Sequence, residues 1–128
     1  MKQILFRGKT NSGKWVYGSL VYSDNIQPAI YFEVGKGEVK SFDYAYVKPE
    51  TVGQFTGLTD KNGVKIFEGD ICRDTEDKDM VVSWSKKFAS WVLNSKGWAF
   101  SHWFGESCNP EDTEVVGNIH DSPELLNP

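Results

Sequence analysis

The sequence predicts a mainly β protein: a small SH3-like barrel with an additional N-terminal β-sheet segment and one short C-terminal helix. Three observations point there. Apolar and polar residues alternate at a period of two in several segments, and no stretch keeps a helical hydrophobic period over three turns. Aromatic residues make up 14% of the chain and glycines number 12, a mixture suited to short pleated strands joined by tight turns. Groups of Asn, Ser, Gly and Pro stand between the alternating runs.

Taken in order, residues 2–7 read as an opening strand with Ile4 and Phe6 on one face. Asn11-Ser12-Gly13 turns the chain into residues 14–21. There Trp15, Tyr17 and Ser19 face one way, and Val16, Gly18 and Leu20 the other, so the two runs form a hairpin. Residues 26–34 contain Pro28, which has no N–H to give a ladder, and read as an edge strand. Gly35-Lys36-Gly37 turns into residues 39–47, with Phe42, Tyr44 and Tyr46 on one side and Ser41, Asp43 and Ala45 on the other. Pro49 ends that strand.

Asn62-Gly63 is the strongest short turn signal. A type I′ turn there would put both residues at positive φ and set Leu58 opposite Ile66. Gly69-Asp70 makes a corner before a strand that begins at Ile71, and the acid-rich stretch 68–79 reads as a solvated loop. Residues 80–84 and 90–93 are apolar strands, and Ser95-Lys96-Gly97 is a turn. Residues 109–112 form a turn or a single helical turn, and residues 114–119 the last strand. Ser122-Pro123-Glu124 offers an N-cap hydroxyl, a proline at the first helical position and an acid at the positive helix end, which predicts the closing short helix.

The 128 residues suit one domain, 1–128, with sub-parts 1–50 (N-terminal strands) and 51–128 (barrel). A chain of this mass buries roughly two thirds of its unfolded surface, enough for a core without staples. No apolar run approaches the roughly 18 residues of a spanning helix, and Arg7 and Lys9 interrupt any N-terminal signal-like segment. Cys72 and Cys108 read as reduced thiols. A cytoplasmic protein without membrane association is therefore expected. The net charge of −4 divides into +3 over residues 1–67 (nine basic, six acidic) and −7 over residues 68–128 (five basic, twelve acidic). A general phosphate-binding surface in the second half is not expected from that balance.

Three segments carry a family resemblance. The first is Phe6-Arg7-Gly8-Lys9 with Trp15-Val16-Tyr17-Gly18-Ser19-Leu20. The second runs from Thr51-Val52-Gly53-Gln54-Phe55-Thr56-Gly57-Leu58 through Asp60-Lys61-Asn62-Gly63 to Ile66-Phe67-Glu68-Gly69-Asp70-Ile71. The third is Val116-Gly117-Asn118-Ile119-His120-Asp121-Ser122-Pro123-Glu124-Leu125-Leu126. In order and over nearly the whole chain, they resemble the YopX family of phage and prophage proteins. The resemblance implies a phage or prophage origin in a bacterium, a mostly β fold and a cytoplasmic setting. It brings no catalytic residue with it. Its motifs consist of turn glycines and core apolar residues, which mark a fold before they mark a site.

Chemistry-bearing constellations are weak. Cys72, His102, Cys108 and His120 lack the clustered short spacing of a zinc site. Asp74, Glu76, Asp77 and Asp79 lack the glycine and terminal glutamate of a calcium loop. Glu68 and Asp70 would share a strand face as an acid–base pair, but Gly69 between them makes a corner that the Asp70 side chain would cap. No cofactor and no enzymatic activity are expected.

Two binding readings remain. Trp98, Phe100, Trp103 and Phe104 crowd one segment and are the candidate surface for a protein partner from host or phage, or for self-association. On a strand, Trp98, Phe100, His102 and Phe104 would share one face and Trp103 the other, so Trp103 is expected to be partly exposed or covered by a second chain. The alternative is nucleic-acid binding by Lys2, Arg7, Lys9 and Lys14 in and beside the first hairpin, with aromatic residues as stacking partners. The expected function is that of a non-enzymatic, phage- or prophage-encoded interaction module.

Overall fold

The computed structural model describes residues 3–94, the backbone of 102–103, and residues 108–126. Antiparallel strands form two compact units, Met1–Phe55 and Thr56–Pro128.

The first unit contains β1 (Phe6–Lys9), β2 (Trp15–Ser23), β3 (Ile26–Lys36), β4 (Val39–Tyr46) and the start of β5 (Gly53–Thr59). Their order across the sheet is β4-β3-β2-β1-β5. The alternation seen in the sequence sorts the two faces. Val16, Ile30 and Val47 are buried on one of them, with Phe6, Leu20, Phe32, Ala45 and Val52 packed around them. The opening strand is displaced from the expected 2–7 and begins at Phe6.

The strand containing Pro28 is not an edge. It lies between β2 and β4, and β4 forms the edge instead. The register explains how the proline is tolerated. The β2–β3 ladder slips between Val21 and Ser23, opposite Ala29 and Ile26, so Pro28 falls in an irregularity where no ladder N–H is needed. Its carbonyl still accepts the Val47 N–H at 2.9 Å. The turn into β4 is also shifted: Lys36 pairs with Val39, leaving Gly37 and Glu38 as the two loop residues.

The second unit holds the end of β5, then β6 (Lys65–Phe67), β7 (Asp70–Arg73), β8 (Asp79–Ser85), β9 (Ser90–Asn94), β10 (His102–Trp103) and β11 (Glu114–Asn118). β6 neighbours β5, and the remaining strands form a sheet of order β10-β9-β8-β7-β11. Ile66, Cys72, Met80, Val82 and Leu93 make its core, with Leu58, Trp91, Cys108 and Val115 against them. Cross-strand Trp84 and Trp91 meet edge to face at 5.1 Å and fasten the β8–β9 hairpin.

Closure into the expected SH3-like barrel is not found among the described residues; what they form is antiparallel sheet. The expected C-terminal helix is a 3-10 turn, Pro123–Leu126. Leu125 N–H bonds to Ser122 O, an i to i+3 contact that closes one tight turn. Four residues are too few to repay helix nucleation.

Three connections share one geometry. In each, the first loop residue donates its N–H to the carbonyl of the fifth and accepts the N–H of the fourth. This holds for Thr10–Lys14 (2.8 and 2.9 Å), Asp60–Val64 (2.9 and 3.0 Å) and Asp74–Lys78 (2.9 and 3.2 Å). The fourth residue is left-handed each time: Gly13 at φ 90°, Gly63 at 77° and Asp77 at 61°. A side-chain oxygen of the first residue also takes the N–H of the fifth, from Thr10, Asp60 or Asp74. The Asn62-Gly63 loop is therefore not type I′. Among non-glycine residues only Asp77 and Ala89 are described at positive φ, so Asn62 is not, and a single left-handed residue follows an ordinary turn. Its N–H is held by Asp60 Oδ1 at 2.8 Å, which fixes that choice. Part of the acidic stretch is likewise a hairpin connection and not a simple loop, closed by the Arg73–Asp79 pair at 2.8 Å.

An ideal Cβ on Gly63 meets nothing within 4 Å, so substitution there tests the backbone alone. Gly63→Val should cost at least about 1 kcal/mol, because a β-branched residue resists positive φ. Thermal denaturation should show Tm lowered by roughly 4 °C. An unchanged Tm would contradict the left-handed assignment.

Candidate functional site

The register of the first sheet brings together side chains that are far apart in sequence. Directly opposed residues of antiparallel strands share a face. Arg7 lies opposite Tyr17, and Lys9 opposite Trp15. Ser19 lies opposite Tyr31. Tyr31 lies opposite Tyr44, Ala29 opposite Tyr46, and Glu33 opposite Phe42. One face therefore carries Arg7, Lys9, Trp15, Tyr17, Tyr31, Phe42, Tyr44 and Tyr46, while the other buries the Val16–Ile30–Val47 core.

The hydrogen-bond pattern explains the closeness of the rings. Val47 N–H bonds to Pro28 O, so Tyr46 and Ala29 form a non-hydrogen-bonded pair. By alternation, Tyr44 with Tyr31 and Phe42 with Glu33 are of the same kind, in which side chains approach most closely. Tyr31 and Tyr44 stack at 5.2 Å with planes 24° apart, and Tyr46 meets Tyr44 edge-on at 5.6 Å. Tyr17, Tyr31, Tyr44 and Tyr46 are between 38% and 50% exposed, and Phe42 is 77% exposed, so the row faces solvent.

At the β1 end, the Arg7 guanidinium lies 4.9 Å and the Lys9 ammonium 5.9 Å from the Trp15 ring centroid. Such stacks orient the indole and are worth about 0.5–2 kcal/mol, more as the cation is desolvated. Arg7 is only 6% exposed, so its charge is largely withdrawn from solvent. At the far end, Glu33 neutralises Lys40 at 2.9 Å. The result is an aromatic surface with phenol hydroxyls, its cations Arg7 and Lys9 gathered at the β1 end, suited to contact with another flat, partly apolar surface.

Of the sequence-predicted residues, Arg7 and Lys9 are united on this face, and Lys14 stands exposed in the preceding turn. Lys2, Trp98, Phe100 and Phe104 lie outside the described residues, as does the side chain of Trp103; its backbone pairs with Val92. Tyr17, Tyr31, Phe42, Tyr44 and Tyr46 were not singled out as a site by sequence reasoning. Their period-two spacing was visible strand by strand, but their union depends on register.

Elsewhere, Asp70 and Cys72 are buried in the second unit. Asp70 is 2% exposed and accepts the Phe67 N–H at 2.7 Å, capping the Gly69 corner as its spacing suggested. Burial, with the nearby Asp70 carboxylate, pushes the Cys72 thiol up to about 12, so it stays protonated and is a poor nucleophile. Burial also raises Cys108, helped by Asp74 and Asp112. Among the described residues no group of three or more His, Cys, Asp or Glu is arranged to hold a metal ion. None of their helices is long and apolar enough to cross a membrane.

The crystal structure of protein EF1440 from Enterococcus faecalis is similar to this chain with a TM-score of 0.61. The match covers 98% of this chain and 99% of that one at 23% sequence identity, a likeness of fold. No curated protein matches the sequence. The family model described as YopX protein matches residues 5–127. With nearly its whole length inside that model, the chain belongs to the YopX family.

Proposed function

We propose that this chain is a non-enzymatic interaction module, phage- or prophage-encoded and acting in the cytoplasm, that binds protein through the aromatic face of its first unit. The observation that supports this reading is the solvent-facing row Tyr17, Tyr31, Tyr44, Tyr46 and Phe42 on one side of a sheet whose other side is core. Tyrosine and tryptophan supply large contact area at small entropic cost and are over-represented among the residues that dominate interfaces. The near-burial of Arg7 and the Glu33–Lys40 pair withdraw two of the face's three described cations, Lys9 being the third, from tracking a phosphate backbone.

Nucleic-acid binding is the second reading, favoured by one observation: Arg7 and Lys9 stack on Trp15 beside exposed rings. One experiment separates the two. Tagged wild-type protein and a Tyr17→Ser/Tyr46→Ser variant of matching circular dichroism are used to purify associated proteins from cells that also express an untagged copy. Both are titrated with a single-stranded oligonucleotide at low and high salt. Loss from the variant of a stoichiometric protein that wild type retains supports the protein reading. Identical retained proteins, or oligonucleotide binding that weakens steeply with salt and disappears in the variant, would replace it.

A further inference from the structure

The edge of the first sheet carries a second, distinct feature. Among the described residues, β4 has β3 on one side and no strand on the other. The bond from Val47 N–H to Pro28 O fixes which backbone groups face inward. Alternation then turns the N–H and C=O of Lys40, Phe42 and Tyr44 outward, away from β3. Residues Val39–Tyr44 are all exposed, with Val39 81% and Phe42 77% accessible. A long edge with apolar side chains and open backbone groups is a template for pairing with another strand.

The strand is complementary to itself. We infer that β4 pairs antiparallel with β4 of a second copy, about a two-fold axis through Phe42. In that register Phe42 meets its symmetry mate, Lys40 lies opposite Tyr44, and Ser41 lies opposite Asp43. No like charges face each other, the lysine ammonium finds a tyrosine ring, and the aspartate finds a serine hydroxyl. Phe42 and its mate exchange two backbone hydrogen bonds at the centre. A flanking N–H, that of Tyr44, is held in the single chain by its neighbour Asp43 Oδ1 at 2.8 Å. Pairing transfers it to the Lys40 carbonyl of the second copy and releases the carboxylate towards Ser41. An isologous contact of this kind closes at two copies and joins the aromatic faces side by side.

This inference rests on reading the chain as an interaction module, but its test does not use the Tyr17 and Tyr46 rings. Phe42→Lys and Phe42→Glu each place like charges on the proposed axis, and each is exposed in the single chain. Sedimentation velocity should give a dimer for wild type, monomers for each variant alone, and a dimer for their equimolar mixture, where Lys meets Glu. A monomeric wild type overturns the pairing, as does either variant dimerising alone or a mixture that stays monomeric. If masses are monomeric while the aromatic-face variant still loses its retained protein, the pairing fails and the proposed function stands.

Discussion

Replacing Asp60 by Asn should destabilise the protein by about 3 kcal/mol at neutral pH, since each hydrogen bond to a charged group contributes about 1.5–3 kcal/mol. Asp60 is 4% exposed and joins segments far apart in sequence. Its Oδ1 accepts the N–H groups of Asn62 at 2.8 Å and Val64 at 2.9 Å, and its Oδ2 accepts that of Val115 at 2.9 Å. An asparagine amide has one acceptor oxygen, so its NH2 must face at least one backbone donor. The β5–β6 connection and the start of β11 would lose their common anchor together. Urea denaturation of wild type and Asp60→Asn measures the difference.

The same residue carries a pH signature. Burial alone would raise the Asp60 carboxyl; the N–H groups of Val115, Val64 and Asn62, with the charge of Lys61, outweigh it and hold it below its ordinary value. A carboxyl depressed in the folded state contributes stability that is fully present above its unfolded value, about 3.9, and is lost as pH falls through the folded value. The gap between wild type and Asp60→Asn should therefore be constant from neutral pH to about pH 5 and narrow below about pH 4. A gap that stays constant into acid would show that the charge on Asp60 is not what the three donors recognise.

The limits of sequence reading in this chain are physical. Strand alternation was legible because each unit has a buried face that rejects polar residues, as with Val16, Leu20, Ile30 and Phe32. Register was not, because it depends on where ladders slip. Pro28 looked like an edge signal, and its place in an irregularity is visible only once Ile26 is opposite Ser23. For the same reason the rings on β2, β3 and β4 could be sorted within strands but not joined across them. Asn62-Gly63 was correctly a turn, yet its type was decided by the Asp60 carboxylate, whose bond to Val115 spans 55 residues. Of the residues proposed from sequence, Arg7 and Lys9 lie on the aromatic face, where the register of the first hairpin sets Lys9 opposite Trp15.

Gly18→Ala should be at least as damaging, at about 3 kcal/mol or more, for a reason unlike that at Gly63. Gly18 has no positive φ, so its backbone suits any residue. What forbids a side chain is space. An ideal Cβ there would overlap the Tyr31 carbonyl oxygen and lie 2.9 Å from the Tyr31 carbonyl carbon and 3.3 Å from Ile30 Cγ2. Two of these atoms belong to backbone and cannot swing aside as a side chain does. Gly18 is also where β2 changes neighbours: its described pairing with β1 ends at Gly18 opposite Phe6, and its pairing with β3 begins at Ser19 opposite Tyr31. One methyl group must therefore push β3 from β2 at the start of their ladder, loosening Ile30 in the core and Tyr31 on the aromatic face. Hydrogen exchange should speed up most in β3 and β4, and denaturant unfolding should shift to lower concentration. If Gly18→Ala instead matches wild type in both measurements, β2 and β3 do not approach this closely, and the alignment of Tyr31 with Tyr44 beside Tyr17 loses its support.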